Sequence, residues 1–130
     1  RGFGVILLDL DGFKATNDKY GHLFGDEVLK RVAGAMQRAV GREDAVARFG
    51  GDEFAVVVVP GDREEGAKVV ARLKEAVERV SREMMGTATD LSLSAGLAVW
   101  PADGSSFEEI LQAADRRLYQ AKENKKSNFC

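Results

Sequence analysis

The run Val5-Ile6-Leu7-Leu8 is apolar at every position and leads straight into Asp9-Leu10-Asp11. A strand without alternation is covered on both faces, so residues 4–10 belong in the interior of a sheet. Two carboxylates then stand at the strand's end. Further along, Gly50-Gly51-Asp52-Glu53-Phe54 places another carboxylate pair beside a turn. Residues 44–49 and 53–59 read as short strands, and a glycine pair between them suits a hairpin. Carboxylates at the tips of buried strands are costly unless a cation joins them. Mg²⁺ is the economical cation, and it commonly shares its oxygen shell between carboxylates and a polyphosphate substrate.

The remaining segments read as helices and one more strand. Residues 12–24 are polar and punctuated by glycine, which predicts a short helix and then a loop. Asp26 can cap a helix over 27–40, with Val28, Leu29, Val32, Ala33 and Met36 on one face and Gly41 as the stop. Pro60-Gly61-Asp62 starts a long helix to about residue 82, with Ala67, Val70, Leu73, Val77 and Val80 as its stripe. Leu91, Leu93, Ala95, Leu97 and Val99 alternate along a strand over 91–99. After a turn at Pro101-Ala102-Asp103-Gly104, Ser105 or Ser106 caps a last helix. Its buried face is Phe107, Ile110, Leu111, Ala114, Leu118 and Ala121. The fold class is α/β (α+β), a single mixed central sheet flanked by helices.

At 130 residues the chain reads as one domain, 1–130. A net charge of −2 gives no sign of a duplex nucleic-acid partner. The single cysteine, Cys130, allows no internal disulfide, as expected in a reducing compartment. No segment reads as a membrane span or a signal peptide. The chain starts one step before a strand, which suggests excision from a longer protein.

The ordered set Asp9-Leu10-Asp11-Gly12-Phe13-Lys14, Asn17-Asp18, Gly21-His22, Gly25-Asp26, Arg48-Phe49, Gly50-Gly51-Asp52-Glu53-Phe54 and Leu118-Tyr119-Gln120-Ala121-Lys122 resembles the GGDEF family of diguanylate cyclases. The resemblance covers essentially the whole chain. It implies a palm-like fold shared with class III nucleotide cyclases. It also implies condensation of two GTP molecules into cyclic di-GMP with release of pyrophosphate. Two domains, each holding one GTP, would face each other in a transient homodimer. A cytoplasmic location, without nucleic acid or direct membrane contact, is expected, with an N-terminal sensory domain in a parent protein that could itself be membrane-anchored. The alternative is a GTP-binding regulatory module that controls an attached domain.

By the same resemblance, Asp9, the Leu10 backbone carbonyl and Asp52 ligate Mg²⁺, two ions per active site, with Mn²⁺ as a substitute. Asp52, Glu53 and Lys14 form the catalytic set, with Asp52 accepting the 3′-hydroxyl proton. Each residue also has a plainer reading. Asp9 and Asp52 could be strand-end turn formers, Glu53 an exposed edge charge, and Lys14 a solvated lysine. Asp11 reads as a helix cap. Backbone N–H groups of Gly12 and Phe13, at a helix N-terminus, can cradle phosphate, and Lys14 can neutralise it; Phe13 otherwise shields the site or packs in the core.

Asn17 and Asp26 are the candidates for reading guanine. Hydrogen bonds to a charged group are worth roughly 1.5–3 kcal/mol, about 10- to 150-fold in discrimination. For Asp26 that role competes with capping. His22 lines the base pocket. The resemblance implies that Lys122 reaches the terminal phosphates and that Lys126 belongs to the same binding set, although position 126 is often arginine and position 125 often glycine in the family. Lys125 reads as a partner of the helix dipole, and Arg48 as a brace or a salt-bridge partner. Asp44 matches the acidic half of the family's inhibitory Arg-x-x-Asp site, but Gly41 stands in the arginine position and Arg42 is one residue out of register. Tight product inhibition through that site is therefore not expected.

Overall fold

The computed structural model describes residues 2–48, 50–59, 61–88 and 90–129, with side chains described as far as Lys125. Phe49, Pro60, Cys130 and the Lys126 side chain therefore lie outside the described residues. The elements run β1 (Phe3–Asp11), α1 (Phe13–Tyr20), α2 (His22–Ala39), β2 (Ala45–Arg48), β3 (Glu53–Val58), α3 (Arg63–Met85), β4 (Ser92–Trp100) and α4 (Phe107–Phe129). The strands form one sheet in the order β2-β3-β1-β4.

The expected α/β (α+β) architecture is the one the chain forms, and within it all the pairings are antiparallel rather than of mixed direction. The reason is topological. The connection from β1 to β2 passes over the place later filled by β3, and the connection from β3 to β4 passes over β1. Strands that would have been parallel neighbours are thus separated by one that has reversed at the hairpin. Two interleaved crossovers of this kind make the split βαβ arrangement.

The central strand is covered on both sides because its side chains alternate between two helical layers. Ile6, Leu8 and Leu10 join Phe54, Val56 and Val58 of β3 against α2 and α3. Val5 and Leu7 face α4, in a smaller cluster with Ala98, Ile110, Ala113 and Ala114. Phe54, with no exposed surface, contributes roughly 2–3 kcal/mol by its burial. The alternation expected for β4 holds for Leu91, Leu93 and their successors, but the intervening residues are covered too. Ser94 and Ala98 are buried. A Cβ on Gly96 would stand 2.1 Å from the Ala114 carbonyl oxygen and 2.4 Å from the Leu118 nitrogen. Only glycine lets the α4 backbone lie directly on the sheet.

Several local expectations are corrected. α2 begins at His22, so residues 22–24 are helix rather than loop, and Asp26 lies inside the helix rather than at its cap. The break falls at Gly21, whose φ of 93° an L side chain resists. Tyr20 and Phe24 pack across it with ring centroids 4.7 Å apart. On α3 the buried stripe includes Gly66 and Val69, whereas Ala67 is exposed. The helix continues to Met85. Phe107 is 53% exposed, its ring 6.2 Å from that of Phe3.

Helix ends are treated unequally. Asp62 caps α3 by accepting from the Glu65 N–H at 2.8 Å. Ser106 caps α4 by accepting from the Glu109 N–H at 3.1 Å, and Glu109 in turn accepts from Ser105. Both helices carry acidic residues in their first turns. α1 and α2 have neither a side-chain cap nor an acid in the first turn. Asp103, just past β4, ties three elements together. It accepts from the Val99 N–H at 2.8 Å, from Arg63 at 2.9 Å and from Arg117 at 2.9 and 3.1 Å.

Candidate active site

Parity decides where the strand-end carboxylates point. Asp9 and Asp11 share the face of Val5 and Leu7, which is the α4 side of the sheet. There the last described turns of α4 meet them. Lys122 Nζ lies 2.9 Å from Asp9 Oδ2 and 3.2 Å from Asp11 Oδ1. Lys125 Nζ pairs with Asp11 Oδ2 and also donates to the Leu93 carbonyl at 2.9 Å. Ser94 Oγ donates to the same Asp11 oxygen at 2.7 Å.

The hairpin brings in Asp52. Its carbonyl accepts from the Leu10 N–H at 3.1 Å, which locks the turn to the end of β1. Gly50 has φ 104°, and its carbonyl accepts from the Glu53 N–H at 2.9 Å. Arg48 braces the turn by donating Nε to the Gly51 carbonyl at 3.0 Å. The Asp52 carboxyl then stands beside Asp9. Burial, and next the charge of Asp9, push it above the usual carboxylate range, and Lys122 offsets this only partly. Lys122 is held above its ordinary value. Its burial acts the other way, but the hydrogen bond to Asp9 and the charges of Asp11 and Asp9 outweigh it.

Among the described residues, three carboxylates thus face two ammonium groups. Among the described residues no group of three or more acidic, histidine or cysteine side chains is arranged to hold a metal ion. The Asp9–Asp52 pair nevertheless fits Mg²⁺, which is often held by one or two carboxylates with water and substrate phosphate completing its shell. Two neighbouring carboxylates are the hard oxygen donors such a cation takes.

Gly12 takes φ 88°, and a Cβ there would meet the Asp90 carbonyl oxygen at 2.4 Å, so the turn from β1 into α1 requires glycine. Phe13 is buried in the main core. Lys14, His22 and Asp26 are exposed. Asn17 Oδ1 is buried without a partner, and a Cβ on Gly25 would stand 1.7 Å from it. Asn17 therefore fills the crevice between α1 and α2, on the helix that precedes Asp26. Glu53 is the register partner of Asp9, but its Oε1 lies 3.3 Å from where a Gly50 Cβ would stand, over the turn. Lys126 has no described side chain.

A cleft of ≈ 680 Å³ lies elsewhere, at the opposite end of β1 and β3 beside Gly2, Asp44, Val58 and Arg72. Asp44 spends its carboxylate there on the Gly41 N–H at 2.8 Å and the Val59 N–H at 3.0 Å.

The model of the diguanylate cyclase GGDEF domain matches residues 1–128. The chain belongs to the GGDEF domain family. This GGDEF domain is 36% identical over 132 residues to the bifunctional diguanylate cyclase/cyclic di-GMP phosphodiesterase MucR of Pseudomonas aeruginosa, covering 100% of the chain and 19% of that protein. It is also 36% identical over 127 residues to the cyclic di-GMP phosphodiesterase PdeR of Escherichia coli, covering 98% of the chain and 19% of the relative. It therefore spans about a fifth of these relatives' length. Among solved structures, a sensory box/GGDEF family protein from Caulobacter crescentus aligns with a TM-score of 0.75 at 37% identity, covering 95% of the domain and 80% of that chain.

Two features of this GGDEF domain escaped the sequence. Asp11 is no helix cap, since α1 has no side-chain cap; it is the acceptor for both lysines and Ser94. Lys125 does not merely complement the helix dipole, because its ammonium is bound to Asp11 and to β4. A signal existed. Positions 114, 118, 122 and 125 fall on one helical face, and the first of them, Ala114, is buried against the sheet.

Proposed function

We propose that this domain is a diguanylate cyclase that condenses two GTP molecules into cyclic di-GMP and pyrophosphate, across two copies of itself. The observation that carries this is the convergence of Asp9 and Asp52 beside the uncapped N-terminus of α1. Asp9, Asp52 and the Leu10 carbonyl would hold Mg²⁺, or Mn²⁺, which neutralises the triphosphate and the charge that builds during its displacement.

The chain's own residues supply the rest. The backbone N–H groups that follow Gly12 take phosphate oxygens, since no side chain caps them. Lys14, exposed on the first turn, adds charge there. Lys122 exchanges its strand-end carboxylates for the terminal phosphates, with Lys126 beyond it. Asn17 and Asp26 read the guanine edge, and His22 lines the same side. Asp26 is free for this because α2 does not use it as a cap, and the unpartnered Asn17 oxygen wants a donor. Asp52 accepts the 3′-hydroxyl proton. The 3′-oxygen forms its ester bond to the partner's α-phosphorus as the α–β anhydride breaks and pyrophosphate leaves. Glu53, over the turn, assists the ribose or the metal.

Product analysis after incubation with GTP and Mg²⁺ tests this, with Asp52→Ala as the control. Cyclic di-GMP from the wild type alone is the expected result. Specific activity should rise with protein concentration, because each active site is completed by the second copy. A constant specific activity on dilution contradicts catalysis by a transient dimer. Added cyclic di-GMP should leave the initial rate unchanged, given Gly41 and the committed carboxylate of Asp44.

The similarity to a protein named as a phosphodiesterase supports a second reading, a GTP-binding module that regulates an attached domain. GTP binding without product at high protein concentration would establish it. Within the described residues no helix is long and apolar enough to cross a membrane. A cytoplasmic site of action, with a sensory domain elsewhere in the parent protein, belongs to the same proposal.

A further inference from the structure

Asp11 is the strand-end carboxylate that the proposed reaction does not use, yet it is the most heavily bonded of the three. Lys125, Lys122 and Ser94 all donate to it. Lys125 is in turn anchored to β4 through the Leu93 carbonyl at 2.9 Å and Ser92 Oγ at 3.4 Å. Charges therefore alternate from the rim of β4 through Lys125, Asp11, Lys122 and Asp9, and a second carboxylate, Asp52, stands beside Asp9 at the hairpin.

Lys122 holds the middle of this series. It reaches Asp9 at 2.9 Å and Asp11 at the longer distance of 3.2 Å. Without Lys125, the negative charge of Asp11 would fall to Lys122 alone among the described cations that face it. An ammonium bound by two carboxylates is a poor partner for an incoming phosphate. With Lys125 neutralising Asp11, Lys122 would be left with little to hold it once Asp9 served as a metal ligand.

We propose that Lys125 is a positioning residue for nucleotide binding. By neutralising Asp11 it frees the Lys122 ammonium to move from the strand-end carboxylates to the terminal phosphates of the triphosphate. The inference rests on the reading of Lys122 as a phosphate ligand.

The test is calorimetric titration with 3′-deoxy-GTP and Mg²⁺, since that nucleotide binds but has no attacking hydroxyl. Lys125→Met should weaken binding about fivefold, the scale of a partly exposed ion pair. Lys125→Arg should retain most of the affinity. In an Asp11→Asn background, where no charge needs neutralising, Lys125→Met should add no further loss. The bonds from Lys125 to Leu93 and Ser92 survive in that background, so a role limited to tethering α4 would cost as much there as in the parent. Equal losses in both backgrounds therefore overturn the proposal.

The nucleotide-free protein gives a second readout. The Lys122 side-chain ammonium resonance should shift in Lys125→Met and return toward its parent position when Asp11→Asn is added. A resonance indifferent to Lys125 also overturns the proposal, and thermal unfolding confirms that each variant is folded. Wild-type protein that fails to bind the nucleotide would defeat the functional reading together with this one. Wild type that binds, with Lys125→Met binding equally well, would defeat this one alone.

Discussion

Replacing Asp103 with alanine should cost about 3–4 kcal/mol of stability, close to the range for breaking a buried ion pair. The carboxylate is 8% exposed and receives hydrogen bonds from three residues. Its loss orphans the Val99 N–H, on a residue only 4% exposed, for roughly 1–3 kcal/mol. The paired bonds to Arg117 count for less than a fully buried bidentate pair, about 1 kcal/mol, because that side chain is 38% exposed. Arg63, 56% exposed, adds under about 1 kcal/mol. Asp103→Asn keeps one acceptor and the shape, so it should lose about half as much.

Urea titrations followed by circular dichroism, extrapolated to water, measure both variants. The pH dependence supplies an independent check. Bonds from Arg117, then Arg63 and Val99, hold the Asp103 carboxyl far below its ordinary value despite its burial. A depressed folded-state pKa gives stability that is complete above the unfolded value of about 3.9 and is lost as pH falls toward the folded one. The wild type should therefore lose stability more steeply than Asp103→Asn from about pH 5 downward. A loss below about 1 kcal/mol for Asp103→Ala, or parallel acid profiles, would refute the reasoning. The network also holds the helix that carries Lys122 and Lys125, so nucleotide affinity should fall with stability.

Other outcomes follow from the same geometry. Asp52→Asn should abolish product yet raise the melting temperature of the metal-free domain, because above its raised pKa the charged carboxylate opposes the fold. Mg²⁺ should then stabilise the wild type and not the variant in a thermal-shift assay. Gly96→Val should destabilise by about 2–3 kcal/mol or more in denaturant titration, since its side chain would displace the α4 backbone. Asp26→Ala should lower the preference for GTP over ATP by about 10- to 150-fold in competition binding, with little change in stability, because the exposed carboxylate caps nothing.

The sequence by itself determined the central strand, the glycine hairpin, the amphipathic helices and the ordered motif set that marks the family. Those are patterns of period and spacing, and a local stretch of chain carries them. It left Asp26 as a cap because nothing local revealed that α2 starts before it at His22, past the left-handed turn at Gly21. Only the tertiary structure decided the company of the carboxylates. Strand parity turns Asp9 and Asp11 toward α4, and the Gly96 contact lets that helix lie close enough for Lys122 and Lys125 to reach them. Asp52 approaches Asp9 through a backbone bond between hairpin and strand. Charges separated by so much chain meet only after packing has set the distances, and at a few ångströms those distances govern which groups pair and which stay available for a substrate.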